Sequence, residues 1–403
     1  MKTGWTIKKL GELCGIELGK TPSRSNPSYW DVKHETNNIW LSIADLLNTK
    51  NNNVFDSKEY LSSQGAAICK VVKKGTLLLS FKLTLGRVAF AGRELYTNEA
   101  IAALSIKNEY ELSKNYLYYF LQFFDWKADA ERDAKIKGIT FNKEKLIEIR
   151  VPYPPLSEQQ RIVRILDEAF AGIAVARANA EKNLQNAREV FESYLNEVFI
   201  NGRDWPEKTI GEISQIKGGK RVPKGYKLLT GATNYPYIRV TDFNDSGSIN
   251  MDDLRYIDKD VHNQIKNYVI YSSDLYLSIA GTIGKTGIIP KELDGAHLTE
   301  NACRLVFREG IYNRYIYYFT RTKNFIGQAG FNTRTSAQPK LALSRLSTIK
   351  LRIPNRNEQE IIVKKFDILA NEISRLELVY QRKTIALGAL KQSLLNQAFT
   401  GQL

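Results

Sequence analysis

The sequence predicts an α+β protein built from two similar domains and two long helices, on the evidence of three observations. Apolar residues recur every three or four positions over residues 156–199, a spacing close to the heptad of a coiled coil. The same stripe returns 200 positions later, over residues 355–399. In both halves, short β-branched runs alternate with turn residues, which is typical of strands. The chain is therefore expected to be an internal duplication of one domain and one helix.

The apolar stripes predict that the two helices pair with each other within the chain. Only Thr384 and Lys391 depart from the stripe of the second helix. At 1.5 Å per residue, each rod would be about 65 Å long, and this unbroken length favours a paired rod over two surface helices of a globular core. The predicted helix-helix seam consists of Ile162, Leu166, Ile173, Leu184, Phe191, Ile362, Phe366, Leu369, Ile373, Leu376, Leu387 and Leu394.

Both predicted helices have similar start and stop residues. Ser157 and Asn357 each open a candidate capping box, in which side chains of the first turn satisfy free backbone amides. Prolines precede both segments and disfavour helix there. Gly202 and Gly401 follow the last turns, where a glycine can adopt the left-handed conformation that ends a helix.

The parts of the chain outside the helices also align at an offset near 200. Residues 5–13 resemble residues 205–213, and the tyrosine-rich segment 115–120 resembles segment 314–319. A repeat of this length indicates a duplicated domain rather than a solenoid of short units. The alignment predicts a first domain, a central helix, a second domain and a C-terminal helix, at residues 1–155, 156–203, 204–353 and 354–403.

Each domain is predicted to combine strands with one amphipathic helix. The apolar runs 75–80 and 348–353 indicate strands, and polar turn segments separate such runs. The aromatic residues around Tyr116 and Tyr315 recur at helical spacing. A twisted sheet packed against a helix places each domain in the α+β class.

The charge balance indicates a polyanionic partner. The chain of 403 residues has 58 Lys and Arg against 43 Asp and Glu, a net charge of +15. Nucleic acid is the first candidate, because released counterions favour its binding to a basic protein; ribosome-associated and membrane-surface proteins share this composition. No apolar run is long enough to span a membrane, and the N-terminal residues lack the apolar region of a signal peptide, so the expected location is the cytoplasm.

Signatures of catalysis and of metal binding are incomplete. Cys14, Cys69 and Cys303 are too far apart for a zinc motif, and they fit a reducing compartment. Residues 281–286 resemble a phosphate-binding loop, but that motif has four residues between its two glycines, whereas this segment has two. Residues 26–29 resemble the tetrapeptide of adenine methyltransferases without its second proline, and a turn is the expected structure. The sequence predicts no catalytic residue and no metal site.

Polar and basic loops in both halves predict contact with DNA. Arg and Lys pair with guanine and Asn or Gln with adenine, while other cations and hydroxyls hold phosphates. Segments 80–87 and 278–285 are equivalent in the two halves. The predicted DNA-binding residues are Lys20, Arg24, Lys82, Thr84, Arg87, Lys135, Lys137, Thr140, Lys220, Arg221, Arg239, Thr241, Thr282, Lys285, Arg334, Ser336, Gln338 and Lys340.

The order of these motifs resembles the specificity subunits of type I restriction-modification systems. The matching motifs are Leu-Gly-Glu or Ile-Gly-Glu near each domain start, Ser-x-x-Gly-Thr-Ile-Gly-Lys at residues 278–285, Ser-Ala-Gln-Pro-Lys at 336–340, and Pro-x-x-x-Glu-Gln before each helix. The resemblance covers essentially the whole chain. In the first half, residues 137–142 differ from the Ser-Ala-Gln-Pro motif.

The resemblance implies a non-catalytic subunit with two target-recognition domains, each reading half of a bipartite, asymmetric DNA site. Its helices would form an antiparallel coiled coil that relates the domains by pseudo-two-fold symmetry, fixes their spacing and docks two modification subunits. Those subunits would bind S-adenosylmethionine and methylate adenine, and a translocating restriction subunit would join them. The chain itself is expected to bind double-stranded DNA and no cofactor.

Two other functions remain open from the sequence. A self-contained DNA methyltransferase or nuclease would need a cofactor loop or catalytic constellation, and would show activity as a lone chain. A basic coiled-coil scaffold would bind DNA without sequence preference, because phosphate contacts alone do not distinguish bases.

Overall fold

The computed structural model describes residues 4–126, 128, 141–202, 204–330 and 341–403. Its contacts divide the chain into two units. Unit 1 comprises Met1–Ala180 with Arg382–Leu403, and unit 2 comprises Glu181–Gln381. Each long helix therefore contributes one segment to each unit, so that neither unit is continuous with a single half of the sequence repeat.

The elements of the first half alternate short strands with short helices before the first long helix. In chain order they are β1 Thr6–Lys9, α1 Leu10–Leu13, β2 Cys14–Leu18, β3 Ile39–Leu41, β4 Asn53–Val54, β5 Glu59–Tyr60, α2 Ser63–Ala67, β6 Leu77–Ser80, β7 Val88–Ala91, β8 Tyr96–Thr97, β9 Ile101–Ile106, α3 Lys114–Phe123, α4 Lys143–Glu148, β10 Arg150–Tyr153 and α5 Leu156–Asn201.

The second half repeats this order with small variations. Its elements are β11 Glu207–Thr209, α6 Ile210–Ile213, β12 Ser214–Gly218, β13 Pro236–Ile238, β14 Arg255–Tyr256, α7 Lys259–Ile265, β15 Val269–Ile270, β16 Leu275–Ser278, β17 Thr286–Gly287, β18 Ala296–Leu298, β19 Ala302–Phe307, α8 Asn313–Thr320, α9 Lys323–Ala329, α10 Leu343–Ser347, β20 Lys350–Arg352 and α11 Arg356–Thr400.

The central sheet of unit 1 is mixed, because β4 pairs parallel with β7. The described strands of the central sheet of unit 2 all pair antiparallel. In the described part of unit 1, the strand orders are β2-β9-β6-β7-β4, β5-β3-β8 and β1-β10. In unit 2 they are β12-β19-β16-β17, β14-β13-β18-β15 and β11-β20. The central strands pair antiparallel in equivalent registers, with Leu78 opposite Ala103 in unit 1 and Tyr276 opposite Arg304 in unit 2. The α+β class and the duplication predicted from the sequence are confirmed.

The hydrophobic core of each unit joins the tyrosine-rich helix to the end of a long helix. In unit 1, the Phe399 ring lies 5.2 Å from the Tyr116 ring between centroids. In unit 2, Phe199 takes the same place, 5.0 Å from Tyr315. These aromatic residues are buried, and full burial of one such side chain contributes about 2 kcal/mol. The predicted helices around Tyr116 and Tyr315 are therefore core elements.

The two long helices predicted from the apolar stripes are confirmed, but the details of their ends differ from the prediction. The helices begin at Leu156 and Arg356, so the predicted capping boxes at Ser157 and Asn357 are wrong: both residues lie inside the first turn. Asn355 supplies the second cap, because its Oδ1 accepts a bond from the backbone amide three residues later at 3.0 Å.

The two C-terminal glycines have different reasons to be glycine. Gly401 has a φ of +78° and ends α11 in the predicted left-handed conformation. Gly202 is not left-handed, so that prediction is wrong for α5; a Cβ there would lie 2.1 Å from the Trp205 ring. Close packing of an aromatic ring, rather than the helix end itself, therefore requires glycine at 202.

Candidate nucleic-acid interface

Gly19 and Gly219 lie where the chain leaves the central sheet of each unit and crosses a neighbouring backbone segment. A Cβ atom on Gly19 would lie 2.2 Å from the carbonyl oxygen of Thr97, and one on Gly219 would lie 2.0 Å from a carbonyl oxygen. The amides of the following lysines, Lys20 and Lys220, donate to backbone carbonyls at 2.8 Å. The Gly-Lys pair seen in both halves of the sequence therefore fixes the start of each candidate loop.

In unit 1 this crossing brings predicted DNA-binding residues together around a carboxylate, Glu99. The Thr21 hydroxyl donates to the Glu99 carboxylate. This hydrogen bond is the main cause of a lowered pKa of Glu99, and the positive charges of Lys82 and Arg24 contribute. Two loops that are far apart in the sequence thus share one ionised side chain.

Unit 2 has the equivalent carboxylate, Glu300. It accepts bonds from Arg221 Nε and from Thr299 Oγ1, the latter at 3.0 Å. Partial burial raises the pKa of Glu300, but these hydrogen bonds and the Arg221 charge outweigh it, and the net pKa is lowered. The sequence prediction missed Glu99 and Glu300, although each precedes its strand by two residues in both halves. A carboxylate in such a place can orient cations or accept a bond from the cytosine amino group.

The loops 80–87 and 278–285 are the same turn, held by a serine. In unit 1, Ser80 Oγ donates to the Thr84 carbonyl at 2.5 Å and accepts from the Arg87 amide at 3.0 Å. Ser278 makes the same two bonds in unit 2, at 2.5 and 2.8 Å. The serines are buried while the Thr84 side chain is exposed, so the turn presents its tip to solvent on a fixed base.

The cations that close these turns fold back over their own unit. Arg87 Nη1 donates to the carbonyl of Ile43 at 3.3 Å. Lys285 Nζ donates to the carbonyl of Phe243 at 3.2 Å and lies 2.9 Å from an Asp245 carboxylate oxygen. In the second loop, Thr282 is the exposed counterpart of the unit 1 threonine. The threonines at the tips are therefore more accessible than the closing cations.

Two predicted arginines already have strong partners within their units. The Arg24 guanidinium lies 4.2 Å from the Trp30 ring centroid and bonds to Glu59. Arg239 Nη2 bonds to the buried Asp242 carboxylate at 2.6 Å. Arg24 remains exposed, whereas Arg239 closes an internal turn beside the exposed Thr241.

Part of the predicted interface lies outside the described residues. These positions are Lys135, Lys137 and Thr140 in the first half, and Arg334, Ser336, Gln338 and Lys340 in the second. Within the residues that the structure describes, no cluster of three or more His, Cys, Asp or Glu side chains could hold a metal ion. No helix in the same ranges combines the length and the hydropathy needed to cross a bilayer.

The long helices pair antiparallel within each unit. In unit 2, Arg188 bonds to Glu377 at 2.5 Å, while Phe199 stacks on Phe366 at 6.1 Å between ring centroids. The later residue of α5 therefore contacts the earlier residue of α11, which means that the two helices run in opposite directions. In unit 1, Arg161 near the start of α5 donates to the carbonyl of the last residue at 2.6 Å, which gives the same direction.

The side chains of the predicted seam are buried near the domains and more exposed elsewhere. Ile162, Leu166, Phe191 and Phe366 are buried, but Leu369 remains 39% exposed. The half-buried seam residues are Ile173, Leu184, Ile362, Ile373, Leu376, Leu387 and Leu394. Other buried hydrophobic residues of these helices lie outside the predicted stripe, among them Val163, Leu195, Phe199, Val363, Leu395 and Phe399. Their burial depends on packing against the sheets and short helices, which the heptad spacing does not report.

An apolar groove of about 460 Å³ runs between the two helices of unit 2. Val190, Tyr194, Leu369 and Ile373 are among its lining residues. Val190 is 70% exposed. The helix pair of this unit therefore offers apolar surface that the chain itself does not cover.

A buried glutamine fastens each long helix to its unit. Gln159 Oε1 accepts from the amide of Ser113 at 2.9 Å, and its Nε2 donates to two carbonyls at 2.9 Å each. Gln359 makes the same three bonds, at 2.8, 3.0 and 2.9 Å. This network explains the glutamine of the repeated Pro-x-x-x-Glu-Gln motif, because only a side chain with both donors and an acceptor satisfies all three backbone groups.

These features define a class of duplicated binding protein, with one polar loop face per unit and paired helices fixed to both. A family model for the type I restriction modification DNA specificity domain matches residues 2–184 and 202–379. The chain belongs to this family of type I restriction-modification specificity subunits, which recognise DNA sequence and are not catalytic. The resemblance and the DNA-specificity role predicted from the sequence are confirmed, and the self-contained methyltransferase or nuclease is excluded.

Individual relatives agree with this assignment over the full length of the chain. The type I restriction enzyme MjaIX specificity subunit of Methanocaldococcus jannaschii is 22% identical, with 99% of this chain and 93% of the relative covered. A chain from a solved type I R-M system has a TM-score of 0.79 at 17% identity, covering 100% and 99%. The HsdS subunit from Thermoanaerobacter tengcongensis has a TM-score of 0.58 at 17% identity, covering 100% and 98%. The two structures support the fold.

Proposed function

We propose that each domain reads one half of a bipartite, asymmetric DNA site, with residues 1–155 and 204–353 as the two readers. The observation that carries this proposal is the matched pair of loops, because each unit has one Ser-held turn and one Gly-Lys crossing beside a glutamate. The two copies keep the same backbone bonds but differ in the side chains they present. Two loops with the same backbone structure but different exposed side chains suit two half-sites of different sequence.

The base-reading and phosphate-binding roles belong to the exposed members of the predicted set. Lys20, Thr84, Lys220, Arg221 and Thr282 are exposed and supply donors that base edges and phosphates accept, and the half-buried Lys82 lies beside Thr84. Arg24, stacked between Trp30 and Glu59, offers a planar guanidinium at fixed orientation. Arg87 and Lys285 act nearer the base of each turn. The basic charge of the chain then contributes affinity that is independent of sequence.

The paired helices are the docking surface for two modification subunits, which carry S-adenosylmethionine and methylate adenine. The exposed apolar groove beside Val190 and Leu369 supports this role, because an apolar groove between helices suits an amphipathic helix of a partner. A restriction subunit joins this assembly through the modification subunits. The complex works on cytoplasmic DNA, and the specificity subunit itself binds no cofactor.

The test starts by mapping methylated adenines in the host genome with and without this gene. Loss of one bipartite motif supports the proposal and identifies both half-sites. The assembled complex is then tested with two matched variants, Thr84→Val and Thr282→Val, which replace a hydroxyl by a methyl group of similar size. Each is expected to relax recognition at one half-site, and the two half-sites should differ.

Two results contradict the proposal. If both variants relax the same half-site, the two units are not separate readers. If scrambling the site leaves the affinity of the wild-type complex unchanged at physiological salt, the chain binds DNA only through its charge.

A further inference from the structure

Leu83 has an unusual backbone conformation and an unusual exposure. Its φ is +61°, in the left-handed region that strongly favours glycine. The other described non-glycine residues with positive φ are His34, Asn51 and Asn52, residue types that tolerate this region. Leu83 is also 85% exposed, more than any other leucine in the described ranges. An apolar side chain is thus held in solvent by a backbone that does not favour it.

The turn that carries Leu83 is fixed on both sides. The amide of Thr84 donates to the Lys82 carbonyl at 2.7 Å, and that of Gly86 donates to the Ser80 carbonyl at 2.9 Å. Gly86 packs so closely that a Cβ there would lie 2.3 Å from the Trp126 ring. Leu83 is therefore presented by a rigid base, which reduces the entropy lost when it makes a contact.

Unit 2 shows that this turn does not need a leucine. The equivalent position is Gly281, with a φ of +75° and no atom within 4 Å of a Cβ placed there. The serine bonds of the turn are the same in both units. Glycine suits the backbone better, so folding gives no reason for leucine at position 83. The reason is expected to lie in a contact made with a partner.

We propose that Leu83 reads the C5-methyl group of a thymine in the half-site bound by the first domain. The proposal rests on the proposed function, because it assigns this loop to the DNA face. Lys82 and the exposed Thr84 flank the leucine with groups suited to phosphates and base edges. The thymine methyl is the apolar group that base edges display in the major groove. Leu83 is thus a specificity-determining residue that unit 2 lacks.

The central experiment replaces thymine by uracil, one position at a time, in a duplex containing the mapped site. Uracil removes the methyl group and keeps every hydrogen-bonding atom. The wild-type complex is expected to lose roughly ten-fold in affinity at one position of the first half-site, in line with the usual effect of one altered base pair. The Leu83→Gly complex should bind thymine and uracil duplexes equally at that position.

A stability measurement separates this role from a structural one. Leu83→Gly installs the residue that unit 2 uses, so its thermal unfolding midpoint should be no lower than that of the wild type. The matched control is Gly281→Leu, which should lower the midpoint because the left-handed backbone disfavours leucine. The control should leave recognition of the first half-site unchanged.

Three results overturn the inference. The first is a wild-type complex insensitive to uracil throughout the first half-site. The second is a Leu83→Gly complex that keeps the wild-type sensitivity, since another residue then reads the methyl group. The third is a Leu83→Gly chain that loses stability together with affinity. A wild-type complex with no preference for the mapped site would instead contradict the proposed function itself, and the inference with it.

Discussion

At the residue scale, His297 is a buried histidine whose surroundings favour the neutral form of its ring. Its ring is fully buried on β18, and Nε2 lies 2.9 Å from His262 Nδ1. The His262 ring stacks on Tyr235 at 4.1 Å. Burial, followed by the charge of His262, lowers the pKa of His297 to about 4. Protonation of this residue therefore opposes folding of unit 2.

We expect unit 2 to lose stability on acidification below about pH 6.5. Between the ordinary histidine pKa and the lowered value, the unfolded chain binds a proton that the folded chain does not. Stability from His297 is thus complete above pH 6.5 and falls by about 3 kcal/mol as the pH approaches 4. Denaturant titrations at several pH values should show this slope, and His297→Leu should remove it.

The control for the histidine prediction is His34, which is exposed and has a φ of +57°. Asparagine tolerates this conformation, so His34→Asn should keep the wild-type slope. A His297→Leu chain with an unchanged slope would show that other groups control the acid response.

Arg304 and Asp274 form a buried ion pair in unit 2. Arg304 Nη1 lies 2.7 Å from Asp274 Oδ2, and both side chains are buried. Arg304→Met leaves the carboxylate buried and unpaired, which should lower the free energy of unfolding by about 3–5 kcal/mol. Adding Asp274→Asn removes the unpaired charge and should recover at least half of the loss. Denaturant unfolding of the full chain measures both.

An exposed pair serves as the control for the buried one. Lys350 and Glu207 lie 3.1 Å apart with both side chains largely in solvent. Lys350→Met should change stability by less than about 1 kcal/mol. A buried-pair variant with an equally small effect would mean that water or a rearrangement compensates the charge.

At the scale of elements, the helix pairs of the two units pack equivalent positions with different residues. In unit 1, Lys391 Nζ lies 4.8 Å from the Phe170 ring centroid, and burial lowers the pKa of this lysine. In unit 2 the equivalent positions are Phe191 and Ala370. The aromatic residue is thus at position 170 in unit 1 and at position 191, the equivalent of Lys391, in unit 2. This exchange explains why Lys391 departs from the apolar stripe.

The buried glutamines give a prediction about how the helices are fixed to the units. Gln159→Leu leaves one amide and two carbonyls without their side-chain partner, so it should lower the free energy of unfolding by at least about 2 kcal/mol. The neighbouring Gln160 is exposed, and Gln160→Leu should have an effect below about 0.5 kcal/mol. Equal effects of the two variants in denaturant unfolding would argue against the anchoring role.

At the scale of the whole molecule, the duplication predicts that the two readers are separable. Replacing residues 1–155 by the corresponding segment of another family member should change one half-site and leave the other intact. The paired helices and the second reader keep their own contacts in such a chimera. Mapping methylated adenines in a host that expresses it gives the result directly.

The opposite outcome of the exchange is also informative. Changes in both half-sites would mean that the readers depend on each other, and the two-reader model would fail. A chimera of the helix segments alone, with both domains kept, provides the control: it should retain both half-site sequences.

The sequence by itself determined the duplication, the α+β class, the two long helices and the family. These properties follow from periodicity and from motif order, which are local or repeated features that survive without knowledge of contacts. The Gly-Lys pairs and the serine of each turn were also visible as repeated residues. The structural role of the Gly-Lys pairs could not be predicted, because it depends on the backbone segment that crosses each glycine.

Only the tertiary structure decided which polar residues act together. Glu99 joins Thr21 and Lys82 across large sequence separations, and a single carboxylate among many gives no sign of this. The burial of His297, the pairing of Arg304 and the exposed, left-handed Leu83 likewise depend on what surrounds each residue. Hydrophobic spacing reports the face that an element buries, whereas burial and charge pairing at a single position depend on neighbours that arrive from distant parts of the chain.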